Sequence, residues 1–384
     1  MRGDSRRFMA DAKAQTLHSV ASSGMALYLD ASLRRTALPD VAVPRTYIKS
    51  RAFDVTLLVA PIGAGLAAAL VVTADPRLYP FLLVADLWLL GYHHVVATYT
   101  RLAFDTTSLR RNRFLALDLL VIVTLATLVL AMTAGAWVVA SAFLYLQWFH
   151  YMRQGYGIAR MYYRATPGGQ TPGSRDLAAD FVIYLVPIYG IAARSASMGD
   201  KFLGLPVKTL VLPDTIVFLL GVAAAAAVIA WLVKTMRAAI ADTLNLEYTG
   251  FVASHITIFL VAYIFVNDVN TGWLAINVWH NLQYVLVVWM SNAKRYAAGV
   301  DPSARFLSRL SQPGRVMMYF ACCLAITTIV YAAIDRFTVL VLGGGMAITI
   351  GIYMGINFHH YIVDALIWKR RKAPLPGHAA PQSA

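Results

Sequence analysis

Charge is what this sequence has least of: only 14% of its residues are Asp, Glu, Lys or Arg, while 59% are hydrophobic. A water-soluble protein carries charge over most of its surface, so this balance excludes one and points to a chain solvated by lipid. Cysteine is nearly absent. The two that occur, Cys322 and Cys323, are adjacent within an apolar run. That position excludes a disulfide framework and leaves them as packing residues. The first fifty residues are polar and basic and contain no apolar h-region, so no secretory signal peptide is expected. No internal repeat and no separate soluble domain is visible.

What is abundant is long apolar sequence. A helix crosses the roughly 30 Å hydrocarbon core with about 20 mostly apolar residues. Ten runs satisfy this, at 55–73, 80–100, 114–132, 135–154, 177–196, 214–235, 249–267, 271–292, 316–334 and 338–368. The expected fold is therefore all-α: a polytopic integral membrane protein of about ten transmembrane helices. A cytoplasmic N-terminal arm (1–50) precedes the membrane domain (51–372), and a disordered cytoplasmic tail (373–384) follows it. The net charge of +14 suggests a nucleic-acid partner only until the charges are placed along the chain. Of the 33 basic residues, only Arg77, Arg194, Lys201, Lys208 and Arg336 fall in the loops on one side. The rest share the side of both termini. Lys and Arg are retained in the cytoplasm, so both termini are expected there, in the inner membrane of the cell, with the loop 198–212 outside. The basic charge is then a topology signal, with anionic lipid headgroups as its further partner and no nucleic acid implied.

Seven of the nine histidines fall inside these runs: His93, His94, His150, His255, His280, His359 and His360. Ionisable groups within a membrane are costly and face the bundle interior or a water-filled cavity. At about 1.5 Å of rise per residue, all seven lie in the cytoplasmic half or near the midplane. Imidazole is a common neutral ligand for Fe, Cu, Zn and Ni. His93, His94, His150, His280, His359 and His360 are accordingly the expected metal ligands. Asp86, seven residues before His93, and Asp364, four after His360, are expected to accept hydrogen bonds from these rings, as is Gln283. Consecutive side chains on a helix diverge by about 100°. Either one member of each His pair binds metal, or the pairs serve two ions. His255 lacks an acidic neighbour and is expected to bridge helices by a hydrogen bond. His18 and His378 lie in the tails. Gly343, Gly344 and Gly345 are read as a close-packing site within the last span, and not as a phosphate loop.

The run Asn357-Phe358-His359-His360-Tyr361-Ile362-Val363-Asp364-Ala365-Leu366-Ile367-Trp368-Lys369 resembles the C-terminal signature of a family of polytopic bacterial membrane proteins of uncharacterised activity. The segments beginning at Tyr92 and at His280 are similar to others in that family. The use of paired histidines on helices also resembles the design of membrane desaturases and hydroxylases, although their spaced histidine boxes do not occur here. The residues themselves favour an oxidoreductase of the oxygenase, hydroxylase or desaturase type. It would use iron, or alternatively copper or zinc, with an electron donor, on an apolar small molecule such as a lipid or isoprenoid. The competing reading is non-catalytic, either a transporter or a carrier of haem between two histidines.

Overall fold

A computed structural model describes residues 47–367, Pro172 excepted. Residues 1–46 of the expected arm, the signature beyond Ile367, the Lys369–Lys372 cluster, the tail, His18 and His378 lie outside the described residues. Each apolar run becomes a helix, because a backbone in lipid must satisfy its own polar groups. The described residues contain α1 (Arg51–Ala74), α2 (Pro76–Leu102), α3 (Thr106–Thr133), α4 (Ala136–Ala165), α5 (Leu177–Ser197) and α6 (Asp214–Ile240). They continue with α7 (Leu246–Phe265), α8 (Val269–Arg295), the short α9 (Arg305–Leu310), α10 (Val316–Leu340) and α11 (Met346–Ile367). Seven of these are long and apolar enough to cross a membrane. The long helices outside that group are α4, α8 and α11, which carry His150, His280 and His359/His360. They fall short because polar side chains of the interior displace apolar ones.

Short polar caps end the helices where the pattern demands. Asp105, Asn245 and Asp268 each accept a hydrogen bond from the backbone N–H three residues on, at 2.7 Å. The three glycines of the last run are not inside a span. Helix α10 reaches Leu340, α11 begins at Met346, and Gly343 and Gly344 form the turn between them with φ of 81° and 66°. Glycine adopts this left-handed backbone without the Cβ penalty. The Gly344 amide donates to the Thr338 carbonyl at 3.0 Å, closing the helix end. Close packing is supplied instead by Gly351 and Gly355 of α11. A Cβ on either would lie 2.7 Å from a backbone Cα of α3, at Leu128 and Thr124.

Helix α8 is the axis of the bundle, with almost every side chain from Val269 to Met290 buried. It packs on α1, α2, α4 and α7, while α11 packs on α3, α4 and α2. Large apolar side chains on α3, α6 and α10 point outward, among them Leu125, Val129, Phe218, Leu219, Met317 and Ile329. A surface of that kind is stable against lipid and not against water. A two-strand hairpin, β1 (Lys201–Phe202) with β2 (Leu205–Pro206), inserts Phe202 between Phe143 of α4 and Trp273 of α8.

Candidate metal centre

Helix α2 is not a regular α-helix. Residues Leu87–Gly91 form a single π-helical turn one residue before the histidine pair. Such a turn contains one extra residue, so the face carrying Asp86 meets position i+8 instead of i+7. His94 therefore shares the buried face of Asp86, and His93 is rotated away. Asp86 does not bond His93 as its spacing suggested. Its carboxylate accepts from the Asn277 amide at 2.5 Å and the Asn281 amide at 3.5 Å, both on α8.

His94 meets His150 of α4 and His360 of α11 at the centre of the bundle. Each offers one ring nitrogen, and the three nitrogens lie within 4.8 Å of one another. All three side chains are buried. Nε2 of His94 and Nε2 of His360 face each other at 2.7 Å. Nε2 of His150 has no hydrogen-bond partner among the described residues. With metal–nitrogen bonds of about 2.1 Å, ligand nitrogens in tetrahedral or octahedral sites sit about 3.0–3.4 Å apart. The His94–His360 contact would open by a few tenths of an ångström to admit an ion, a movement within reach of small ring rotations. The donor set, three neutral imidazoles from three helices, suits a first-row transition metal.

The surrounding residues fix these rings. His94 stacks on Tyr284 (3.9 Å, 8°) and on His280 (4.8 Å, 26°). His150 stacks on Tyr361 at 4.5 Å. His280 is 4.9 Å from His150, ring to ring, and its Nδ1 has no hydrogen-bond partner among the described residues. It flanks the group of three without belonging to it. Behind it lies a buried polar network in which Tyr151 donates to Asn277 at 2.5 Å, and Trp273 donates to Gln147 at 2.8 Å.

The remaining expected ligands point elsewhere. Nδ1 of His93 contacts the Leu89 carbonyl at 3.3 Å, and the ring packs edge-on against Phe320. Nε2 of His359 donates to the Leu115 carbonyl at 2.7 Å, and its Nδ1 lies 3.4 Å from the Tyr99 hydroxyl. One member of each pair thus joins the cluster, as the 100° divergence allows. His255 bridges helices as expected, with Nε2 donating to the Ile183 carbonyl at 3.1 Å. Gln283 is fully buried, but neither of its amide atoms has a hydrogen-bond partner among the described residues.

Asp364 is not bonded directly to His360. Instead its carboxylate accepts from the Tyr284 hydroxyl at 2.6 Å, which lies 2.9 Å from the Thr98 hydroxyl. Thr98 in turn lies 3.0 Å from Nδ1 of His360. Tyr284 and Thr98 are hydrogen-bonding neighbours of His360 and Asp364 that the spacing of acidic residues does not point to. The signal for them is i+4 spacing, since Thr98 follows His94 and Tyr284 follows His280 by one helical turn. No family model, curated protein or solved structure matches this chain.

Proposed function

We propose that this chain is a membrane metalloenzyme in which His94, His150 and His360 hold a transition-metal ion that oxidises an apolar substrate. The reading rests on one observation: three buried imidazoles from three helices bring their nitrogens within 4.8 Å of one another. Three protein ligands leave coordination positions open, the usual condition for catalysis as opposed to a purely structural site. Among the described residues no carboxylate bonds to these rings, and the nearest acids are engaged by Asn277 and Tyr284. Aromatic and imidazole side chains line the centre instead. Iron is the favoured ion, dioxygen from the lipid phase the oxidant, and a cytoplasmic reductant the electron donor. Haem fits the packing less well. Two axial histidines would stand about 4 Å apart with a porphyrin between them, whereas here the facing nitrogens are 2.7 Å apart, with the His150 and His280 rings around them.

Metal analysis and absorption spectroscopy of detergent-purified protein test this reading. The wild type should carry stoichiometric transition metal without a Soret band. His94→Ala, His150→Ala and His360→Ala should each lose it, while His255→Ala and His359→Ala retain it. Iron-loaded wild type, given reductant and dioxygen in membrane lipid, should then yield oxygenated or newly unsaturated products that the His94→Ala variant does not. Well-folded wild type that neither contains nor takes up metal would overturn the proposal, and a Soret band would replace it with the haem reading.

A further inference from the structure

Resting on that metal-centre reading, we infer that Asp364 is a positioning residue which fixes the tautomer of His360 through Tyr284 and Thr98. The four groups form one continuous chain from α11 to α8 to α2 and back to α11. Its links are 2.6 Å from Tyr284 to Asp364, 2.9 Å between Tyr284 and Thr98, and 3.0 Å from Thr98 to Nδ1 of His360. All four side chains are buried.

Each link has a direction, and the carboxylate sets it. An ionised carboxylate only accepts, so Tyr284 must give it the single phenolic proton. The guanidinium of Arg101 interacts electrostatically with both Asp364 and Tyr284. Having donated, the Tyr284 oxygen accepts from Thr98. The Thr98 hydroxyl has one proton, and its other acceptor, the His94 carbonyl, is farther away at 3.4 Å. With that proton committed to Tyr284, Thr98 can only accept from His360. Nδ1 of His360 therefore carries the ring proton, and Nε2 presents a lone pair toward His94 and His150.

This is the tautomer that a metal-binding Nε2 requires. Partners of this kind, which orient a ligand from behind, change metal affinity about 10- to 100-fold when removed. The chain also accounts for a carboxylate held deep in the bundle at Asp364, where its cost must be offset by hydrogen bonds. A direct Asp364–His360 bond would polarise the ring from a neighbour on the same helix. The route through Tyr284 and Thr98 instead ties the tautomer to the packing of three helices, so that the ligand is set only when the bundle is assembled.

Metal-free wild type and variants, titrated with Co²⁺ in detergent and followed by visible absorption, provide the test. Thr98→Val, Tyr284→Phe and Asp364→Asn should each weaken Co²⁺ binding about 10- to 100-fold and shift the absorption bands. Thr98→Ser, which keeps the hydroxyl and removes only the methyl, should restore wild-type affinity and spectrum. A purely structural role for Thr98 would give Ser and Val variants of similar behaviour. Solid-state ¹⁵N spectra of the metal-free protein should show His360 protonated at Nδ1 in the wild type and in Thr98→Ser, and changed in Asp364→Asn. If the wild type binds Co²⁺ and Thr98→Val and Asp364→Asn bind it equally well, the inference about the chain is wrong while the metal centre stands. If the wild type itself binds no Co²⁺, it is the metal centre that fails.

Discussion

At the scale of single residues, seven similar histidines take different roles because each nitrogen meets a different neighbour. His255 is the clearest contrast with the metal group. Its Nε2 is used by the Ile183 carbonyl, and its ring lies against Gly155, where a Cβ would sit 2.5 Å from Nδ1. Glycine is required there by the imidazole and not by a turn. Gly155→Val should force the ring off Ile183 and cost about 1–3 kcal/mol, the usual range for overpacking a core. Thermal unfolding in detergent would register the loss, and metal content should stay at the wild-type level. Loss of metal without loss of stability would instead link His255 to the centre.

At the scale of elements, the π-helical turn of α2 decides which histidine of the first pair enters the site. An ordinary α-helix through Leu87–Gly91 would place His93, and not His94, on the face of Asp86. Deleting Leu90 should restore regular winding and leave His94 on the face of Asp86, now seven positions away. The variant is expected to insert, remain monodisperse and keep its bound metal, as judged by metal analysis beside size-exclusion chromatography. Loss of metal from the folded variant would mean that the turn does not compensate for one extra residue in the register of the site. Such extra-residue turns occur often at functional positions. The sequence carries no local signature for this one, since Leu-Trp-Leu-Leu-Gly fits an α-helix equally well.

For the whole molecule, the number and order of the long helices among the described residues were legible in the sequence, and each expected span has its helix. The side of the membrane rests on the uneven distribution of Lys and Arg. Single cysteines at the exposed positions Ser197 and Ser303, in a background lacking Cys322 and Cys323, test it on intact cells. An impermeant reagent should label the first and spare the second; the reverse pattern would invert the topology. Apolar run length determined the fold class because lipid leaves the backbone no other way to satisfy its hydrogen bonds. The sequence also placed the histidines of the spans toward one side of the helix bundle, since rise per residue is fixed within a helix. It did not determine which of them meet. That choice depends on rotation about the helix axes and on cross-helix neighbours. The π-helical turn in α2, the glycine contact between α3 and α11, and the link from Thr98 through Tyr284 to Asp364 all arise only when the helices pack.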